Sequence, residues 1–377
     1  MKKTFYLISA LFIFSLINLN LLRLEAAESA APEQLTYPDY QIVKVLEASE
    51  LKDINSDLAD INAKEQQVKV KVLSDGPNKG TEIFINNIVP DNRAFGIIAK
   101  VGKEYIISFA EGDVAIVDYH RRPYVIGIFI LFIALLVGFS GFKGFKALLS
   151  LFVTALSIIY ILIPAIKHGQ DPILAGILIS TIATLVTVIS IAGFTKKALA
   201  ASIGSVGAVA IAGFTSFFII KEAPLSGLAS SEAQILLANS IYGNEAYNLS
   251  NFQGILSAGI IIAALGAAMD VAVSIASATQ EIYLTDPQQS YQSLFKHSMN
   301  VGKDIMGTMT DTLILAYTGA SLPLFILLES YEPKSLLLNM EVIVSELSSA
   351  LCGSIGLIFA IPLTGLISVI LYKGFKA

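Results

Sequence analysis

The stretch GIIIAALGAAMDVAVSIASA, residues 259–278, places one ionisable side chain, Asp270, inside an otherwise uncharged run. A run of this length and composition predicts a helix that crosses the hydrocarbon core of a bilayer. A second stretch, DIMGTMTDTLILAYTGASLPLFILL at residues 304–328, carries Asp311 in a similar setting. An ionised carboxylate in hydrocarbon is costly unless it is paired, hydrogen-bonded or protonated. Two acids at this depth therefore predict a functional site in a membrane protein.

The composition fits a chain that is embedded in a membrane. Of its 377 residues, 54% are hydrophobic and 15% are charged, whereas about 25% are charged in an average soluble domain. Long apolar runs account for the deficit, at residues 123–142, 147–166, 172–195, 198–220, 252–269, 312–328 and 347–372. We predict seven transmembrane helices, the fifth and sixth extended past their single aspartates, in an α-helical integral membrane bundle at residues 123–377. The single cysteine, Cys352, excludes an intrachain disulfide.

Residues 1–27 have the order of a secretory signal peptide. Lys2 and Lys3 precede an apolar stretch at residues 5–22, and a run of small and polar residues follows. The apolar stretch is long for a signal peptide, so an uncleaved signal anchor remains an alternative. Either segment would send the residues that follow it across the membrane.

Residues 36–122 predict a small antiparallel β-domain, barrel-like and of OB type, or a sandwich. Residues 67–73 read QVKVKVL, and their strict alternation places every second valine on one face. The predicted strands are residues 40–46, 67–73, 81–89, 95–101, 104–109 and 114–119, with an excursion at residues 49–65. The lysines are dispersed and no aromatic platform is evident, which argues against a nucleic-acid partner. We expect this domain to dock on the membrane part or on a protein partner.

The charges of the predicted loops orient the chain, because cytoplasmic loops are enriched in lysine and arginine. One set of loops carries Lys143, Lys146, Lys196, Lys197, Lys296, Lys303, Lys373 and Lys376. The other set carries only Lys167, Lys221 and Lys334. We therefore expect a cytoplasmic C-terminus and an extracytoplasmic β-domain, in a bacterial cell membrane. Arg121 and Arg122 oppose this orientation, but they follow a long translocated domain, for which the rule has little force.

Polar residues recur at helical spacing in both acid-bearing helices, so each set shares one helix face. The candidate ion- or substrate-pathway residues are Asp270, Ser274, Ser277 and Glu281 in the fifth predicted helix and Asp304, Thr308 and Asp311 in the sixth. At about 1.5 Å per residue, Asp270 and Asp311 lie roughly 10–17 Å from the cytoplasmic ends of their helices. Two stripes at matching depth on consecutive antiparallel helices predict a shared hydrated cavity.

Packing is the alternative role for these residues, because a protonated acid or a hydroxyl can join neighbouring helices by hydrogen bonds. It is the expected role for Glu281 and Asp304, which lie near the predicted membrane surface, and for the hydroxyl residues taken singly. The common zinc, nucleotide and hydrolase motifs are absent from the sequence. The residues before Asp270, GAAM, also depart from the Gly-x-Gly-Asp pattern of intramembrane aspartyl proteases. We predict no catalytic residues, no metal site and no cofactor.

Small residues and prolines indicate how the helices pack. Ala200, Gly204, Ala208 and Ala212 follow one another at a spacing of four in the fourth predicted helix. Such a stripe predicts the close approach of another helix. Pro323 and Pro362 predict breaks or kinks in the sixth and seventh helices.

Two helical motifs resemble those of the YibE/F family of bacterial multi-pass membrane proteins. They are ALGAAMDVAVSIASATQEI at residues 264–282 and GKDIMGTMTDTLILAYTGASLPL at residues 302–324. The β-domain is similar to the same family through VKVLSDGPNKG at residues 70–80 and NNIV at residues 86–89. The resemblance covers most of the chain after residue 27 and implies a bacterial multi-pass membrane protein. It implies no substrate and no catalytic residues, because the family has no established activity.

The function that we expect is that of a permease or a transport component that uses the acids of the fifth and sixth helices. A non-transporting structural or regulatory membrane protein, whose outer β-domain binds a partner, is the main alternative. An intramembrane hydrolase is a weaker one. The expected partners are the lipid bilayer and a protein bound by the β-domain, and the oligomeric state stays open, with a homo- and a hetero-oligomer among the alternatives.

Overall fold

The computed structural model describes residues 39–54, 63–75, 78–92, 96–110, 113–242, 251–331 and 333–374. The chain divides into two compact units, Met1–Ile130 and Leu131–Ala377. The predicted signal or anchor segment at residues 1–27 lies outside the described residues, as does Lys376.

The first unit contains an antiparallel sheet, which has six strands in the part of the chain that is described. The strands are β1 (Asp39–Ala48), β2 (Lys52–Ile54), β3 (Ala63–Val72), β4 (Glu82–Pro90), β5 (Glu104–Ala110) and β6 (Asp113–Tyr119). β3 pairs with β1, β2 and β4, and β5 pairs with β1 and β6. Strands β4 and β6 also contact each other. The sheet therefore curls around one core, and five of the six predicted strands are confirmed.

The predicted alternation decides which side chains fill that core. Val68, Val70 and Val72 are buried, whereas Lys71 between them is exposed. The buried cluster consists of Val43, Val45, Val68, Val70, Val72, Ile85, Ala99, Tyr105, Ile107 and Ile116. These side chains come from β1, β3, β4, β5 and β6 and from Ala99 before β5. Because the sheet curls, its apolar face packs against itself, and the opposite face can remain exposed.

The strand predicted at residues 95–101 is wrong, since residues 96–100 pair with no strand. Side-chain amides supply the hydrogen bonds that a strand would have supplied. The Ala99 N–H donates to Gln66 Oε1 at 2.9 Å, and Gln66 Nε2 donates to the Ala99 carbonyl at 3.0 Å. Asn87 Nδ2 donates to the Ile97 carbonyl at 2.7 Å. Both amides are buried, so they hold the segment in place although it forms no backbone hydrogen bonds with a neighbouring strand in the described part of the chain.

The rest of the chain is helical. The helices are α1 (Arg122–Ser157), α2 (Ile163–Lys167), α3 (Pro172–Ala192), α4 (Lys196–Glu222), α5 (Ser231–Tyr242), α6 (Phe252–Thr285), α7 (Tyr291–Ala320), α8 (Leu322–Glu329) and α9 (Glu341–Lys373). A π-helical turn at Ile158–Leu162 joins α1 to α2, and a 3₁₀ helix at Lys334–Asn339 precedes α9.

Five helical segments among the described residues are long and apolar enough to cross a membrane, or six if α7 and α8 form one bent span. The difference from the predicted seven lies in α1 and α2, which form one segment of 46 residues. At about 1.5 Å per residue this segment is roughly twice as long as a hydrocarbon core of about 30 Å. Its one non-helical residue is Gly141, with φ 55° and ψ −137°, at the end of the first predicted span. A positive φ is costly for residues other than glycine.

The two prolines have different effects on the helices. α7 ends at Ala320, and the chain bends by 65° into α8, where Pro323 occupies the first turn. The predicted break is therefore confirmed there. α9 continues through Pro362 from Glu341 to Lys373, so a break at Pro362 is wrong.

The centre of the bundle is formed by α4, α6 and α9, which contact one another. The small-residue stripe of α4 is buried, with Ala200, Ala208 and Ala212 fully covered. A Cβ added at Gly204 would lie 2.8 Å from the Cβ and 3.0 Å from the Cα of Thr364 on α9. The predicted close approach of another helix to this stripe is confirmed.

Candidate functional site

Asp270 lies on a face of α6 that is made of small and polar residues. Gly259, Ala263, Gly266, Asp270 and Ser274 follow one another at spacings of four and three, and all of them are exposed. A Cβ added at Gly259 or Gly266 would meet no atom within 4 Å. The opposite face of α6 is packed and contains Ala264, Ala268, Val271, Ala272 and Ile275.

The carboxylate of Asp270 has no hydrogen bond or ion pair with the described residues. Ser274 is exposed beside it, one turn further along the helix. Ser277 is half-buried and donates to the carbonyl of Val273 at 2.7 Å. Glu281 is exposed near the end of α6. The stripe is thus continuous along one side of the helix, and Asp270 is its ionisable group furthest from the helix ends.

The second stripe lies on α7 and is exposed as well. Asp304, Thr308 and Asp311 are all exposed, and Thr308 donates to the Ile305 carbonyl at 3.0 Å. A Cβ added at Gly307, between these residues, would meet no atom within 4 Å. The buried residues of α7 are Leu294, Ser298 and Gly302, all in its first half. The second half of α7, which carries Asp311, has no fully buried residue.

Residues outside the stripes join α6 to α7. The hydroxyls of Thr279 and Ser298 are 2.8 Å apart and buried. At Gly302, an added Cβ would collide with Ile361 of α9 and lie 3.4 Å from Ile275 of α6. The two helices therefore meet through their buried faces, while both acids lie on exposed ones. That the two acids share one cavity stays a prediction.

One polar contact in this region was not predicted from the sequence. Ser321, at the bend between α7 and α8, donates to Glu346 Oε2 on α9 at 2.7 Å. A small cavity of about 60 Å³ adjoins this pair and is also lined by Tyr317 and Thr318 of α7. The sequence does not predict the contact between Ser321 and Glu346. Glu346 directly precedes the last apolar run, where an acid is expected to lie at the membrane surface.

The described residues contain no group of three or more His, Cys, Asp or Glu side chains that could hold a metal ion. Cys352 is buried and free. The chemistry available on the two stripes is therefore that of single carboxylates with neighbouring hydroxyls. Such groups can bind a proton or a small cation, or hydrogen-bond a polar solute.

The comparison with known protein families gives one match. The profile of the YibE/F-like protein family matches residues 128–374, and no curated protein and no solved structure matches the chain significantly. The matched region contains the helices from α2 to α9, most of α1, and both polar stripes. Because it covers more than half of the 377 residues, the chain belongs to the YibE/F-like protein family.

Proposed function

We propose that the helical part of this protein spans the bacterial cell membrane and acts as a permease or a transport component. In this proposal Asp270 and Asp311 bind a proton or a small cation on its way through the membrane. The C-terminus is cytoplasmic, the β-domain is extracytoplasmic, and the break at Gly141 divides the 46-residue segment into two spans, which gives seven.

The observation that carries the proposal is the exposed face of α6. A helix face that contacts lipid is expected to carry large apolar side chains, because these match the acyl chains. The face around Asp270 carries glycine, alanine, serine and an unpaired carboxylate instead. An ionisable group at membrane depth usually faces the bundle interior or a water-filled cavity. The face is therefore best explained by contact with water, a solute or another helix.

Ion flux through the purified protein tests this proposal. In proteoliposomes with an internal pH dye and an imposed gradient of protons or sodium ions, the wild-type protein should dissipate at least one gradient. Asp270→Asn and Asp311→Asn keep the shape of the side chain but remove its charge. We expect each to lower the flux at least tenfold, and a tenfold loss corresponds to a rise of ~1.4 kcal/mol in the activation free energy of transport.

Asp286→Asn is the matched control, because Asp286 is an exposed acid in the turn after α6 and accepts a hydrogen bond from the Gln288 N–H at 3.1 Å. An amide oxygen can accept the same bond, so this variant should keep the wild-type flux. Equal flux through the wild type and the Asp270→Asn/Asp311→Asn double variant would remove the acids from the pathway. Helix packing would then be the better explanation for Asp270 and Asp311.

A structural or regulatory role is the second candidate, and one feature of the sheet favours it. Phe84 and Ile88 project from the same side of β4 and are 74% and 64% exposed. An exposed apolar pair on a strand is a surface that a partner protein can cover. A scaffold should lose its function with Phe84→Ser/Ile88→Ser and keep it with the two Asp→Asn changes, whereas a transporter should show the reverse.

A further inference from the structure

The first unit contains a pocket of about 660 Å³ at the end of the sheet from which α1 begins. Two segments line it: residues 98–105, which lead into the start of β5, and residues 119–124, which run from the end of β6 into the first turn of α1. Both segments belong to Met1–Ile130, so the pocket is a feature of this unit alone.

The wall that carries the lysines of this pocket is fixed by hydrogen bonds. The hydroxyl of Tyr105, a buried core residue, accepts from the Lys100 N–H at 2.9 Å and donates to the Ile98 carbonyl at 3.3 Å. Burial raises the pKa of this hydroxyl, so it remains a donor at neutral pH. The Gly102 N–H donates to the Val45 carbonyl at 2.9 Å, with a φ of 82° at the glycine. The turn around Gly102 is therefore preorganised by hydrogen bonds within the protein.

The charges that line the pocket are mainly positive. Lys100, Lys103 and Arg121 line it, and Glu104 is the acid on the same wall. Glu104 Oε2 lies 2.7 Å from His120 Nδ1, so this carboxylate already has a partner. Arg121 bonds to Asp118 at 2.5 Å and lies over the ring of Tyr119 at 5.1 Å. Lys100 and Lys103 are exposed, and neither forms an ion pair with the described residues.

The pocket lies where the apolar part of α1 starts. Tyr119 and Tyr124 line it and are both exposed, and from Tyr124 onward α1 exposes large apolar side chains. Val101, at the tip of the turn, is 61% exposed. Tyrosine is enriched at the boundary between lipid and water, where the headgroups lie. A cationic pocket edged by such side chains matches a ligand with an anionic head and an apolar tail.

We propose that this pocket binds the phosphodiester headgroup of an anionic phospholipid. The ammonium groups of Lys100 and Lys103 contact the phosphate, and Tyr119, Tyr124 and Val101 contact the start of the acyl chains. This inference rests on the membrane location in the proposed function, because the lipid must reach the start of α1, but it does not need transport. The shared chemistry is that of a phosphate, and a free phosphate is the other source to be tested.

Native mass spectrometry of the full-length protein in detergent tests the inference. Phosphatidylglycerol should bind the wild type, and phosphatidylcholine with the same acyl chains should bind more weakly. Lys100→Gln/Lys103→Gln should lower the bound fraction of phosphatidylglycerol about tenfold, because each lysine near an anionic headgroup contributes to the attraction. Lys52→Gln/Lys71→Gln is the control, since it removes two exposed lysines of the same unit that do not line the pocket.

Each of these measurements distinguishes the proposal from one alternative. Equal binding of both lipids, or equal losses in the pocket and control variants, would overturn the proposal. Displacement of phosphatidylglycerol by millimolar inorganic phosphate, with the same dependence on Lys100 and Lys103, would show that the ligand is a free anion. Ion flux in proteoliposomes is a separate readout, so a failure of the transport proposal leaves the lipid result interpretable.

Discussion

The exposed faces of α4 and α6 differ, although the two helices pack against each other. The exposed large apolar residues of α4 are Leu199, Ile203, Phe214, Phe217 and Phe218. Along its middle, α6 exposes Gly259, Ala263, Gly266, Asp270 and Ser274 instead, and its exposed large apolar residue is Leu284, near its end. Both helices have a packed face on the other side, made mainly of small residues in α4 and of small and aliphatic residues in α6. The difference therefore concerns what lies outside the bundle, and not how the bundle is packed.

The environment of each face follows from its chemistry. Leucine, isoleucine and phenylalanine match acyl chains, so the exposed face of α4 is suited to lipid. Glycine and alanine let another backbone or water approach closely, and a carboxylate in hydrocarbon is costly. The exposed face of α6 is therefore suited to water, a solute or a second helix. We expect variants on the two faces to behave differently, and the following predictions test that difference.

The largest effect is expected where small residues are buried. Gly204→Leu places a branched side chain against the backbone of Thr364, and overpacking of this kind costs about 1–3 kcal/mol or more. We expect the abundance of the full-length protein in membranes to fall several-fold. At Gly266, on the exposed face of α6, an added Cβ would meet no atom within 4 Å, so Gly266→Leu should keep the wild-type abundance and block ion flux.

The abundance of both variants, measured by quantitative blotting of membranes, decides the outcome. A loss of abundance in Gly266→Leu as large as that in Gly204→Leu would mean that the face of α6 is tightly covered by a partner needed for folding. Normal abundance together with normal flux in Gly266→Leu would mean that this face has no part in transport.

A smaller effect is expected on the reactivity of single cysteines. In a Cys352→Ala background, Ser274→Cys should react with a water-soluble maleimide faster than Ile203→Cys. The thiolate that reacts forms in water and is disfavoured in apolar surroundings. At about 1.5 Å per residue, Ile203 lies roughly 10 Å from the start of α4 and Ser274 roughly 16 Å from the end of α6. Depth alone would therefore favour Ile203→Cys.

Labelling rates in intact membranes provide the measurement. Faster labelling of Ile203→Cys would contradict a hydrated face on α6. If neither cysteine reacts, oxidative cross-linking between copies that carry Ser274→Cys shows whether a second copy covers the face. A cross-link would mean that the exposed face of α6 contacts a second copy of the protein and does not line a hydrated cavity.

The sequence predicts features that depend on local periodicity. The alternation at residues 67–73 places Val68, Val70 and Val72 in the core of the sheet. The spacing of four in α4 places its small residues against α9. The same periodicity correctly groups Asp270 with Ser274 on one face of α6.

Features that depend on distant contacts could not be predicted. Residues 96–100 are apolar enough for a strand, but the backbone of Ala99 is hydrogen-bonded by Gln66, 33 residues earlier in the chain. The sequence also does not show which face of α7 packs, because this depends on contacts such as that between Thr279 and Ser298. The stripes of the candidate site were therefore predictable, whereas their exposure was not.

The smallest expected effect is on the stability of the sheet, where the acid Glu82, unlike Asp270 of α6, has a cationic partner. Glu82 accepts a hydrogen bond from Lys69 at 2.8 Å, which lowers the pKa of the carboxyl. A lowered pKa in the folded state stabilises the fold above the ordinary pKa of glutamate and ceases to do so as the pH falls through the folded-state value. Because Glu82 is exposed and Lys69 is only half-buried, the effect is small. Glu82→Gln should therefore lower the unfolding temperature slightly at pH 7 and not in strong acid.

Residues 36–122, expressed alone and followed by far-ultraviolet circular dichroism, provide the measurement. Glu50→Gln is the control, since Glu50 is exposed and has no ion pair among the described residues. A loss of the same size at both pH values would show that Glu82 acts through packing and not through its charge. Asp270 lacks a cationic partner of this kind among the described residues, so none of them offsets its charge as Lys69 offsets that of Glu82.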